Sequence, residues 1–129
     1  PLKTAGAAVL TAGLSTQISI IGSGIGRSNR KGGPMIDIVV TQRIKPGMEA
    51  HAEALFREVE AATLAHDQGC MRYEWYRAEE AGTYILIERW SDHAAIQAHF
   101  KSPHMAALLP KLAPYAVEKF TSVRLSRLS

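Results

Sequence analysis

Apolar and polar positions alternate along the chain with a period that changes several times after Met35, and each change marks an element. Over residues 35–44 the period is that of a strand, with Ile36, Ile38, Val40 and Ile44 on one face and Asp37, Val39, Thr41 and Arg43 on the other. Lys45-Pro46-Gly47 ends it as a turn. Over 48–66 the period lengthens: Leu55, Phe56, Val59 and Leu64, with alanines between them, predict an amphipathic helix. Glu49 and Glu53 lie early, where the helix dipole favours acids, and Gly69 is placed to stop it. A second strand, Cys70–Arg77, turns Cys70, Arg72, Glu74 and Tyr76 one way and Met71, Tyr73 and Trp75 the other. A turn with Gly82 leads into a third strand, Thr83–Trp90, and alternation at Val117, Thr121, Val123 and Leu125 predicts a fourth over 115–128.

Three of the five histidines and the strand carboxylate Glu88 fall between Tyr84 and Met105, the stretch that best suits chemistry. In the third strand Tyr84, Leu86, Glu88 and Trp90 share a face, and Ile85, Ile87 and Arg89 share the other. Glu88 therefore stands among large apolar groups, where a carboxylate must find a partner, stay near solvent or keep its proton. Ser91 or Asp92 offers an N-cap oxygen to the short helix that follows, and Ile96, His99 and Phe100 form one stripe on it. His99 is thus set among the core-facing residues. Pro103 disfavours helix at Ser102, so the chain turns there and a second helical segment runs over 103–109. A straight helix would hold His99 and His104 about 140° apart. The turn lets both imidazoles face one cleft.

The order β-α-β-β-α-β defines an α+β, ferredoxin-like chain: a four-stranded antiparallel sheet with its helices on one face. The other face is left uncovered, and several strands are apolar on both sides. A homodimer packed through its sheet faces is therefore expected.

Composition sharpens this picture. One domain accounts for 129 residues at 47% apolar content. Residues 1–34, rich in Gly, Ala, Ser and Thr, form an extension, with a boundary near Met35 and the domain over 35–129. Lys3 followed by AGAAVLTAGL faintly resembles a signal peptide, but the apolar part is weak and no small-x-small cleavage site follows. Leftover expression sequence, a start assigned upstream of Met35, or an arm held against a neighbouring subunit are plainer readings. The GSGIG run at 22–26 follows a strand-like ISII, yet a dinucleotide loop must open a helix, and RSNRKGGP does not.

The basic balance is local as well. Lys3, Arg27, Arg30 and Lys31 meet no acid in the extension, which leaves 11 of the 15 basic residues to face all 12 acids after it. A near-neutral body without a basic stripe argues against a nucleic-acid partner. No apolar run is long enough to span a membrane. The single cysteine, Cys70, excludes an internal disulfide and fits a reducing, cytoplasmic setting.

Three short motifs carry a family resemblance. Gly69-Cys70-x-Arg72-Tyr73-Glu74, then Glu88-x-Trp90, then Ala98-His99-x-x-Ser102-Pro103-His104, on the elements just described, resemble the antibiotic biosynthesis monooxygenase (ABM) family of dimeric α+β barrels over residues 35–126. Within that family the AHxxSPH segment is similar to the paired-histidine stretch of the quinol monooxygenases and of a quorum-signal isomerase. Haem-degrading members resemble one another through an Asn on the first strand and a Trp and a His on the second helical region. Here Val40, Thr41 and Gln42 occupy that strand and His99 stands in place of that Trp, so haem degradation is disfavoured.

The resemblance implies an oxygenase with no cofactor and no metal, in which a quinol or polyphenol supplies the electrons. The protein removes a proton, and the electron-rich anion meets O₂ in a dry pocket with donors for its oxyanion. His99 is the expected base, since imidazole titrates near neutrality and the stripe aims it at the sheet. His104 or Arg72 would hold the oxyanion, Glu88 would orient a histidine, and Trp90, Tyr73 and Phe100 would wall in a small aromatic substrate. Plainer roles stand beside these: a His99 tied to a carbonyl, a capping His104, a cross-strand Glu88–Arg72 ion pair and an aromatic core. His51, His66 and His93 lie on polar helix faces or ends and are expected in solvent. The spacing of His93, His99 and His104, with Glu88 as a fourth group, matches no usual metal pattern. Nothing in the sequence activates Cys70 as a nucleophile. Two further readings are an isomerase of a small phosphorylated ketone, which requires a cationic seat near Arg72 or Lys101, and a barrel that binds an aromatic ligand without turning it over.

Overall fold

The computed structural model describes residues 35–128, so the extension 1–34 and the readings attached to it lie outside the described residues. Strand β1 (Ile36–Arg43) leads into helix α1 (Glu49–His66), then strands β2 (Cys70–Arg77) and β3 (Thr83–Trp90). Helices α2 (His93–Phe100) and α3 (Pro103–Leu112) follow, and strand β4 (Thr121–Leu125) closes the order. The sheet runs β2-β3-β1-β4 with every neighbouring pair antiparallel, the expected ferredoxin-like α+β arrangement.

Alternation sorts β1 and β3 as their patterns require. Ile38, Val40 and Gln42 on β1, and Tyr84, Leu86, Glu88 and Trp90 on β3, are buried. Ile38, Val40, Leu86 and Trp90 join one core with Val59 of α1, Ile96 of α2 and Met105 and Leu108 of α3. Helix α1 buries Ala52, Phe56, Val59 and Thr63. That 3.6-residue spacing turns Leu64 out to solvent, against the expectation from its apolarity alone.

Three elements depart from the pattern. In β2, Cys70 stands opposite Trp90 but Arg72 stands opposite Arg89, so Met71 is the extra residue of a β-bulge. The bulge resets the alternation: Cys70 packs against the core, while Arg72, expected on the same face as Cys70, points to the other side with Arg89. Helix α3 runs to Leu112 instead of ending at residue 109, because Pro110 falls in its last turn and removes only one helical hydrogen bond there. Strand β4 is confined to Thr121–Leu125, and Ala116 makes only an isolated bridge to Ile44. Its register pairs Ile38 with Arg124 and Val40 with Ser122, so this edge strand turns polar residues toward the helices.

The opposite sheet face carries Val39, Ile85, Ile87, Val123 and Leu125 together with the ion pairs Asp37–Arg89 and Arg72–Glu74. Val123 is 60% exposed there. No helix among the described residues is long and apolar enough to cross a membrane.

Candidate active site

Two tight connections bring the central group together. Helix α1 ends in Asp67, an extended residue whose N–H still reaches the Thr63 carbonyl. Gly69 then adopts φ +86°, and a Cβ there would stand 2.6 Å from Ser91 Oγ and 2.7 Å from Ala95 Cβ. Only glycine lets the α1–β2 connection lie this close to the start of α2. On the other side Ser102 breaks the helix: its hydroxyl donates to the His99 carbonyl at 2.6 Å and accepts from the Met105 N–H at 3.3 Å. Pro103 opens α3 from that cap.

The result is that both histidines converge on one carboxylate. His99 Nδ1 lies 2.5 Å from Asp67 Oδ2, and His104 Nε2 lies 3.0 Å from the same oxygen. An ionised carboxylate only accepts, so each of these ring nitrogens carries its hydrogen toward Asp67, and a neutral His99 keeps its lone pair on Nε2. Burial pushes the His99 pKa below its ordinary value, outweighing the upward pull of the Asp67 carboxylate. The ring is therefore neutral at pH 7, the form a base requires.

Tyr73, Trp90 and Phe100 surround the His99 ring at centroid distances of 5.3, 4.9 and 5.4 Å. Trp90 links it to a second acid, its Nε1–H donating to Glu88 Oε1 at 2.7 Å. Desolvation pushes the Glu88 pKa up to about 7, with the Trp90 hydrogen bond pulling the other way. His99 and Glu88 line one cavity of about 70 Å³ between helices and sheet, whose lining is otherwise mostly apolar and includes Tyr73, Phe100 and Leu108.

Several expected roles meet a different geometry. Arg72 donates to Glu74 Oε1 at 2.8 Å on the far face of the sheet, so it neither pairs with Glu88 nor reaches the cavity. The bulge and the pleat place a sheet between them. Glu88 does not orient a histidine; Asp67 does, and Glu88 is held by Trp90. Trp90 is fully buried behind His99 and Glu88 and is not among the cavity-lining residues, which removes it from the substrate wall. His51 and His66 are exposed, whereas His93 is part-buried with Nδ1 enclosed. Burial raises the Cys70 thiol to about 11, which leaves it inert.

Asp67 carries no mark in the sequence pattern. It reads as a polar residue just past a helix, and the one nearby signal is Gly69, whose need for a positive φ announces a tight connection. With His99 and His104 it also forms, among the described residues, a set that could take a metal ion, donor atoms lying within 4.8 Å of one another. This is not the His93–His99–His104–Glu88 combination weighed on spacing. Two ligands of a tetrahedral zinc stand about 3.3 Å apart, whereas Asp67 and His99 meet at 2.5 Å. The three groups as placed form a hydrogen-bonded chain.

A four-stranded sheet roofed by helices, with a carboxylate-held histidine beside an apolar cavity, defines a small α+β domain. The chain belongs to the antibiotic biosynthesis monooxygenase family, whose model matches residues 35–111. Among similar solved structures, a Caulobacter crescentus protein named for the same family shares 24% identity at a TM-score of 0.71, covering 74% of this chain and 92% of that one. A conserved protein of Methanosarcina mazei shares 20% at 0.69, covering 75% and 96%. SnoaB, a cofactor-independent oxygenase from Streptomyces nogalater, shares 19% at 0.63, covering 75% and 96%. At these identities the likeness is one of fold. No curated protein matches the sequence.

Proposed function

We propose that this protein is a cofactor-independent monooxygenase that oxidises a quinol or other polyphenolic small molecule with O₂, using His99 as its base. The observation that carries this reading is the buried His99, held at Nδ1 by Asp67 and bordering an apolar cavity. Nε2 takes the proton of a phenol, and the resulting anion adds O₂ at an electron-rich ring carbon. The hydroperoxide then loses water. The CH₂ of the keto tautomer and O₂ become a carbonyl and one water, so the substrate supplies all four electrons. Glu88, protonated in part near neutral pH, donates to the developing oxyanion, the part that the sequence assigns to His104 or Arg72. His104 braces Asp67 and so acts through His99.

Room for the substrate comes from a wall that opens. A cavity of about 70 Å³ is well below the roughly 150 Å³ that admits a benzene ring. Phe56 and Trp75, stacked at 3.9 Å, line both this cavity and an outer groove of about 410 Å³ beside Glu53 and Arg77. Parting these two rings joins the spaces. The isomerase reading draws no support from the cavity, whose lining holds no Lys or Arg.

Oxygen consumption with a panel of quinols tests the proposal. The wild type consumes O₂ with at least one of them, and His99→Ala, folded by circular dichroism, is slower by about 100-fold or more. Equal uptake by both proteins would remove His99 from the mechanism. Ligand binding without uptake by the wild type would make the barrel a binding module.

A further inference from the structure

Arg124 carries a charge that nothing among the described residues answers. Its side chain leaves β4 on the helix side, at the end of the cross-strand row Tyr73, Glu88, Ile38, Arg124. Nε and Nη2 are both shut off from solvent and have no hydrogen-bond partner. Nδ1 of His93, the first residue of α2, is in the same condition. The register sets the two residues at one end of the sheet: Trp90, three residues before His93, pairs with Ile36, and Ile38 pairs with Arg124. In keeping with that placement, the Arg124 charge adds to burial in lowering the His93 pKa. Burial alone acts on Arg124, with no carboxylate opposing it. Asp92, the acid close to His93, has an oxygen engaged by the Ala95 N–H at 2.8 Å as the cap of α2.

A guanidinium does not shed its proton in a protein, so enclosing two of its three nitrogens without a partner is costly. The two orphan atoms also matter individually. Nε–H and Nη2–H are the parallel donors along one edge of the guanidinium fork, the edge that grips a carboxylate or phosphate through two hydrogen bonds. His93 Nδ1 adds a third polar atom from the adjoining helix.

We propose that Arg124 of the edge strand β4 and His93 at the start of α2 form an oxyanion-binding site, taking the carboxylate or phosphate group of a small molecule. The site is separate from the cavity beside His99, which neither residue lines. Neighbouring strands lie about 4.8 Å apart, so the Arg124 backbone stands two strands, roughly 10 Å, from that of Glu88. Arg124 is only part-buried as a whole and sits on an edge strand. Rotation of this one side chain presents the fork, without displacing an element. The proposal does not rest on the oxygenase reading.

Inorganic phosphate, and in a separate series acetate, titrated into the ¹⁵N-labelled full chain test it through the Arg124 Nε–H resonance. A saturable shift of that signal and of the His93 amide is expected with one or both anions, phosphate alone marking a phosphate seat. Arg124→Met keeps the alkyl stem and weakens binding by at least about tenfold, the value of one charge-assisted hydrogen bond. Arg124→Lys keeps the charge but not the fork and also weakens it, which separates two-point recognition from general attraction. Absence of a saturable shift in the wild type overturns the site, and that arm needs no variant to fold. Equal affinity in Arg124→Met overturns it too. Loss of subunit association in Arg124→Met, with no anion bound by the wild type, would assign the fork to a second copy of the chain.

Discussion

Glu88 and His99 border the same cavity, and burial pushes both toward their neutral forms, from opposite sides. For Glu88 the ordinary value of 4.5 rises to about 7 on folding. Below 4.5 both states hold the proton; between 4.5 and 7 the unfolded chain releases it first, so stability falls as pH rises through that window and levels off above it. The loss amounts to about 3 kcal/mol. Glu88→Gln keeps an acceptor for the Trp90 N–H and cannot ionise. Urea unfolding should find it close to wild type near pH 4 and more stable by up to about 3 kcal/mol at pH 8. An unchanged difference between the two pH values would place the proton elsewhere. His99 works with the opposite sign, costing stability as pH falls, and cancels in this comparison because both proteins keep it. Asp67→Asn is the matching test of orientation. An amide no longer forces hydrogen onto Nδ1, so kcat should fall by about 100-fold or more. Because Asp67 also pulls the His99 pKa upward, the acid limb of the rate profile should move to lower pH.

The connection between α1 and β2 decides whether those residues meet at all. Gly69→Ala would place a methyl 2.7 Å from Ala95 Cβ in a backbone that L side chains rarely adopt, at φ +86°. Strain and overlap together should cost about 2–4 kcal/mol, read by urea unfolding, and should displace Asp67 two residues upstream. A variant as stable as wild type, with full oxygen uptake, would show that the connection relaxes without consequence. What was legible at this scale followed from period: the His99 stripe and the inward Glu88 are local patterns, readable from residues three, four or two apart. Asp67 is not, because its role comes from a partner 32 positions away. The bulge at Met71 is equally hidden, since one extra residue in β2 shows only against the register of β3. Arg124 is unmarked as well, because a short edge strand turns inward residues that a solvent-facing pattern would assign outward.

At the scale of the whole molecule the sheet has two apolar faces and, among the described residues, only one roof. Glu74, Ile87, Val39 and Val123 form a cross-strand row on the open side, with Ile85 and Leu125 beside it, so the apolar positions are contiguous. Such a patch calls for cover, and a second copy offers the same surface in self-complementary form. A stable interface buries about 800 Å² per partner, an area four short strands can supply. Sedimentation should therefore find a dimer at micromolar concentration. Val123→Asp tests which face is used: at 60% exposure the substitution leaves the subunit's own core untouched. In a two-fold dimer each substitution acts twice, so two unpaired carboxylates would be buried at one interface and the protein should sediment as a folded monomer. A Val123→Asp protein that dimerises as tightly as wild type would move the contact to the helix side. A wild type that stays monomeric would leave the open face to something other than a second copy.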